Sequence, residues 1–283
     1  MLYNLKEYHR PDDVEVAYKL LKRKNIKTAA LAGGSHLIGS GHSDIESVVD
    51  LRDLGLDQIN RDRRMLHLGA TVHLQTLVEE CGDEFDGLLA ETARRMAGLH
   101  IRNTSTIGGA LASGDTHSPL SAALAALRAR VKLYIQPGEM NLWSDMAQRA
   151  RLNGLSNELV TTISIKLNKG MGAGYQQVGR TPADFPIVCV ASVAYPTRDN
   201  QIDTYTAICG LFRDLILIGH RIFNDDHDTA LEKVAAQIVQ SNAPTASYWN
   251  DHLGSADYRR SIAPVLVRRA LGEALSRMRR PAE

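Results

Sequence analysis

The chain has little with which to build a metal site. Its three cysteines, Cys81, Cys189 and Cys209, are widely spaced and form no CxxC pair. That spacing excludes an iron–sulfur cluster or a cysteine zinc site, so any metal chemistry belongs to another polypeptide. Ten histidines are scattered without triad or metal-ligand spacing, and no catalytic acid, base or nucleophile is nominated. Charge of one sign is also lacking: 33 Lys and Arg against 32 Asp and Glu leave a formal +1. A dedicated nucleic-acid surface would show a basic excess. No apolar run approaches the ~20 residues of a membrane span. The first ten residues carry Lys6, Glu7 and Arg10 and no signal-peptide core. A cytoplasmic protein is expected.

What is present is ordinary globular material. Hydrophobic residues make up 44% and charged residues 23% of 283 positions, enough for two or three packed units. Val14, Ala17, Tyr18 and Leu21 lie at helical spacing behind Asp12 and Asp13, which predicts a capped helix over 12–24. Strands are expected at 28–32, 45–51, 65–70, 131–135 and 159–167. Helices are expected at 73–80, 84–96 and 120–127, the last rich in alanine. The stretch 137–154 is polar and without a clear period. A glycine-rich segment at 168–174 is the best candidate for a domain boundary. Beyond it, strands are expected near 174–180, 186–195, 201–208 and 214–219, with Cys189 a buried thiol in the second. Helices follow near 227–240 and 257–278, and Pro264 is expected in the first turn of the last helix or at a kink.

Two glycine doublets stand out in small-residue surroundings. One is Ala32-Gly33-Gly34-Ser35-His36-Leu37; the other is Thr106-Ile107-Gly108-Gly109-Ala110-Leu111. Two backbone segments without side chains suit a ligand that touches the main chain from two sides, and a pyrophosphate is such a ligand. Either doublet alone is equally an ordinary turn. Neither belongs to a G-x-G-x-x-G fingerprint or a Walker loop, so a standard nicotinamide or ATP site is not indicated.

Further motifs extend this pattern along the chain. They include Tyr8-His9-Arg10-Pro11, Val49-Asp50-Leu51-Arg52-Asp53, Leu66-His67-Leu68-Gly69-Ala70-Thr71 and Ile101-Arg102-Asn103. Later come Asn157-Glu158-Leu159-Val160, Tyr175 to Arg180 with Asp184-Phe185, and Ala256-Asp257-Tyr258-Arg259-Arg260. With the doublets, and in the same order, they resemble the FAD-binding medium subunit of the molybdenum hydroxylases, the family of xanthine and carbon monoxide dehydrogenases. The resemblance runs from about residue 8 to residue 271.

The resemblance implies an α+β protein: a two-part N-terminal FAD-binding region of the PCMH type plus a C-terminal antiparallel sheet with helices. The parts would be 1–55, 56–168 and 174–283. It also implies FAD as cofactor, with the pyrophosphate on Ala32 to His36 and Thr106 to Ala110, and with Leu37 beside them. Amides of Gly33, Gly34 and Ser35 would donate, and the Ser35 and Thr106 hydroxyls would add neutral hydrogen bonds. The alternative reading of Ser35 is a helix cap or turn residue. His36 is either a phosphate donor or packing at the loop base. Asp115 is either an acceptor for a ribose or ribityl hydroxyl or an Asx-turn. Tyr175 would lie near the isoalloxazine, while Arg180 and Asp184 read as a structural ion pair. The implied partners are a [2Fe–2S] small subunit and a molybdopterin large subunit, in a dimer of heterotrimers. Electrons would pass from the clusters through FAD to NAD⁺, a quinone or oxygen.

The chain departs from the family pattern at Ala110, where Asn is usual, at Pro119, where Asp is common, and at Gln176, where the Lys usual near Tyr175 is absent. Those departures motivate an alternative: a degenerate, flavin-free scaffold subunit of such a complex. A self-contained flavin oxidase is a further rival, but 283 residues leave little room for a substrate-covering domain.

Overall fold

The computed structural model describes residues 2–39, 41–113, 118–135, 142–145, 158–181, 184–197, 201–223, 231–232, 235–237 and 248–279. Three sheets follow one another along the chain. The first is parallel, in the order β1 (Glu7–His9), β3 (Ser47–Asp50), β2 (Thr28–Leu31). Helix α1 (Val14–Leu21) joins β1 to β2. Asp13 alone is its N-cap, accepting from the Val16 amide, so the helix begins later than the pattern suggests. Ala17 of α1 is buried with Val49, Leu51 and Leu54.

The second sheet has the order β4 (Ile59–Arg61), β5 (Met65–Gly69), β8 (Leu159–Lys166), β6 (Arg130–Tyr134), β7 (Leu142–Asp145), all antiparallel. The period-two pleat puts Leu66, Leu68, Ile163 and Ile165 on one face, in the core. Helices α3 (Leu74–Glu80), α4 (Leu88–Met96), α6 (Ile107–Ala112) and α7 (Pro119–Ala126) share that core; α5 (Leu99–Arg102) links α4 to the second glycine segment. All eight residues of α7 are buried, because its alanines allow helix and sheet to approach closely on every side. Pro119 is its first residue, behind the Ser118 cap. The expected helix at 84–96 is broken. Phe85 and Asp86 take φ of 54° and 56°, burying the phenyl ring and turning the carboxylate to the Ala173 amide.

The third sheet has the antiparallel order β12 (Ile216–Phe223), β11 (Gln201–Cys209), β10 (Val188–Pro196), β9 (Gly172–Val178). The continuous apolar run of β10 reflects burial on both faces. Cys189, Ala191 and Val193 meet the α4–α7 core, while Val188, Val190 and Ala194 meet α8 (Ala256–Arg277). Pro264 lies well inside α8 rather than in its first turn. Of the helix expected at 227–240, residues 231–232 and 235–237 are helical and the others lie outside the described residues.

Arg259 pins α8 to the sheet. Fully buried, it donates to the carbonyls of Gly254, Ile187 and Gly210 and pairs with Asp251 at 2.6 Å. Burial alone would raise the Asp251 pKa. Donors from Trp249, Leu253 and Gly254, with the Arg259 charge, outweigh it and bring the carboxyl down to about 2.

Candidate functional site: two glycine segments in contact

The first segment leaves β2 and turns at Gly34, whose φ of +74° suits glycine. It then opens α2 (Ser35–Gly39). The second follows α5 and opens α6, with Thr106 as N-cap. Both doublets therefore stand at helix starts, and the second lies inside a helix rather than in a loop.

The fold brings the segments together. A Cβ built on Gly33 would lie 1.6 Å from the Thr104 carbonyl oxygen and 3.1 Å from the Ser105 Cα. Only glycine permits that approach. Beside it, the Ser105 hydroxyl donates to Ser35 Oγ at 2.8 Å, bridging positions 70 residues apart. Ser105 is 9% exposed and held by its backbone. Its amide donates to the Ile101 carbonyl at 2.7 Å, and its carbonyl accepts from Leu74 at 2.9 Å. Arg102 fixes α5 through the Ala97 carbonyl and Gln75.

The amides of the two segments differ. Among the described residues, no acceptor faces the amides of Gly33, Gly34 or Ser35. In the second segment, Ile107 N donates to Val72 O at 2.9 Å and Gly108 N to Ala70 O at 2.8 Å. Gly109 N donates to Thr106 Oγ1 at 3.1 Å, and Ala110 N to Thr106 O at 2.9 Å. A Cβ on Gly108 would meet Ala70 O at 2.6 Å. The second doublet thus seats α6 against the end of β5, with its amides engaged within the chain. The Thr106 hydroxyl is likewise engaged as a cap, although its own proton is free to be donated.

The remaining expected residues divide. Ala32 packs on the small N-terminal core, and Ile107 is fully buried. Ser35 and His36 are exposed on α2; Leu37 is half-buried. Ala110 is half-buried on α6. Tyr175 is a core residue here, 8% exposed, with its hydroxyl donating to Gln177 at 2.7 Å. Burial, with the nearby Cys189 thiol, pushes its pKa well above the usual phenol value. Arg180 and Asp184 do pair, at 3.7 Å. Asp115 lies outside the described residues. Ser105 and Thr104 were not singled out by sequence. Their signal was only the polar run Asn103-Thr104-Ser105-Thr106.

These features fit a flavin dinucleotide through the first segment. It offers three unpartnered amides and a hydroxyl, a neutral donor set suited to phosphate oxygens. Near the second segment, Thr71 Oγ1 is buried and has no partner among the described residues, one residue beyond the carbonyl that seats Gly108. Among the described residues, no cluster of three or more His, Cys, Asp or Glu could hold a metal ion. No described helix is long and apolar enough to cross a membrane.

Comparison with known proteins agrees with the geometry. Residues 3–165 match the FAD binding domain in molybdopterin dehydrogenase. The glyceraldehyde dehydrogenase medium chain of Sulfolobus acidocaldarius is 27% identical, over 94% of this chain and 97% of that protein. The carbon monoxide dehydrogenase medium chain of Afipia carboxidovorans is 28% identical, over 96% and 97%. The crystal structure of the Cu,Mo-CO dehydrogenase in its cyanide-inactivated form superposes with a TM-score of 0.83 at 25% identity, covering 98% of this chain and 100% of that one. With more than half its length matched and the two glycine segments in contact, the chain belongs to the FAD-binding family of the molybdopterin dehydrogenases, as a medium, FAD-binding subunit of the molybdenum hydroxylase type.

Proposed function

We propose that this chain is the flavoprotein electron-transfer subunit of a molybdenum hydroxylase. It would take electrons from the [2Fe–2S] clusters of a small partner and deliver them to NAD⁺, a quinone or oxygen. A molybdopterin large subunit would hold the reducing substrate, and the assembly would be a dimer of heterotrimers. Residues 1–55 and 56–168 would form the two parts of the FAD-binding region, and 174–283 the C-terminal domain. FAD, when bound, links one-electron donors to a two-electron acceptor.

This chain's own residues bind and orient. The amides of Gly33, Gly34 and Ser35 would donate to the pyrophosphate, each bond contributing about 0.5–1.5 kcal/mol net. Ser35 and His36 would face it from α2. Thr104, Ser105 and the second doublet would hold that donor set in place. The observation that carries the reading is the set of unpartnered amides in the first segment, and it favours a flavin-binding subunit over the flavin-free scaffold.

Co-expression with neighbouring genes for a [2Fe–2S] protein and a molybdopterin protein tests it. The expected product is a yellow complex with one FAD per copy of this chain, its mass read after size exclusion. Chemically reduced complex mixed with NAD⁺, quinone or oxygen then identifies the acceptor by recovery of flavin absorbance. A colourless chain that binds no added FAD and no partner overturns the reading.

A further inference from the structure

We propose that Ser105 is a positioning residue for the cofactor: it fixes the Ser35 hydroxyl so that its proton is directed at the pyrophosphate. This rests on the FAD reading above. A serine hydroxyl rotates, and an exposed one has no preferred donor direction. Ser35 is exposed, but its oxygen accepts from Ser105 at 2.8 Å. That bond occupies one lone pair and sets where the remaining proton points.

Ser105 is suited to impose this. Its backbone is tied on both sides, to Ile101 and to Leu74. It sits next to Thr104, against which Gly33 closes without room for a Cβ. The anchored partner is therefore Ser105 and the adjustable one is Ser35. The same oxygen lies one residue beyond Gly34, so the oriented O–H and the unpartnered amides of Gly33, Gly34 and Ser35 come from one short stretch of chain. The second segment thereby contributes to cofactor binding through Ser105 rather than through its own amides.

The test uses the full chain freed of flavin and titrated with FAD, ADP and riboflavin. FAD and ADP carry the pyrophosphate; riboflavin carries none. Ser105→Ala is expected to weaken FAD and ADP by a similar factor, roughly 5- to 10-fold, the loss of one oriented hydrogen bond. Riboflavin binding and the thermal midpoint of the apo-protein should not move. Ser105→Thr, which keeps the hydroxyl, should stay within about twofold of wild type. Ser35→Ala, which removes the donor itself, should weaken FAD and ADP at least as much as Ser105→Ala, and the double variant should lose no more than Ser35→Ala alone, because Ser105 acts only through Ser35.

Equal FAD affinity in Ser105→Ala, additive losses in the double variant, or a parallel loss of riboflavin binding each overturn the proposal. A wild-type chain that binds neither FAD nor ADP instead overturns the reading on which it rests, so the two failures are distinguishable.

Discussion

In the first glycine segment, three consecutive amides face no acceptor among the described residues, and Gly34 turns the chain outward into a short exposed helix. In the second, every amide from Ile107 to Ala110 is engaged, two of them by carbonyls at the end of β5. Both doublets need glycine, but for different neighbours. Gly33 needs it against Thr104, across the junction of the two segments; Gly108 needs it against Ala70, inside its own unit. One segment is organised to present donors, and the other is organised to hold its neighbour. Substitutions should therefore separate affinity from stability.

The control with the largest expected effect lies away from both segments. Arg259→Ala strips three carbonyls, two of them buried, of their donor and leaves Asp251 without its cation. Breaking such a pair costs about 3–5 kcal/mol. Thermal melting and FAD retention should fall together, which gives the signature of a stability defect. The pair also carries a pH dependence. Asp251 has a depressed pKa, so its contribution is complete above the unfolded value of about 4. It is lost as pH falls toward about 2. Acid titration of Asp251→Asn should show less loss of stability across that window than wild type.

Gly33→Ala should give the opposite signature. Its Cβ meets a backbone oxygen that cannot swing aside, so the two segments must part and the Ser35–Ser105 bond must break. A roughly 100-fold weaker FAD complex is expected, from overpacking of about 1–3 kcal/mol together with lost donors. The main core should melt near the wild-type temperature. Gly108→Ala should reverse that balance, costing about 1–3 kcal/mol of stability with FAD affinity changed less than in Gly33→Ala. If both variants lose affinity equally at equal stability, the distinction drawn between the segments is wrong.

Smaller effects sharpen the contrast. Thr106→Ala removes the α6 cap and should cost about 1 kcal/mol of stability, read from denaturant midpoints. Ala110→Asn restores the amide usual in the family on a half-buried face of α6. Titration of apo-protein should show tighter FAD binding by roughly fivefold; equal or weaker binding would mean that this helix offers the cofactor no contact.

Much of the fold was legible because local rules and tertiary packing agree. Strands β5 and β8, the cap among Asp12 and Asp13, the alanine helix behind Pro119 and the long C-terminal helix each fell within a few residues of expectation. Short elements were not legible. Helices α2, α5 and α6 span four to six residues, too few to show a period, and α6 contains a glycine doublet that read as loop. The break at Phe85 was hidden for a different reason. Residues 84–96 carry a helical pattern, and only contacts with β9 and the core compensate the positive φ there.

The sequence by itself determined the family, the cofactor class and the places where the backbone must be bare, since glycine doublets in order along a chain need no three-dimensional knowledge to notice. It could not say what each bare position faces. Hydrogen-bond partners such as Ala70 for Gly108, or Ser105 for Ser35, are separated by 38 and 70 residues. Nothing in local propensity distinguishes an amide that is free from one that is engaged. That assignment depends on which carbonyl arrives opposite, and only the packing of β5, α5 and the first sheet decides it.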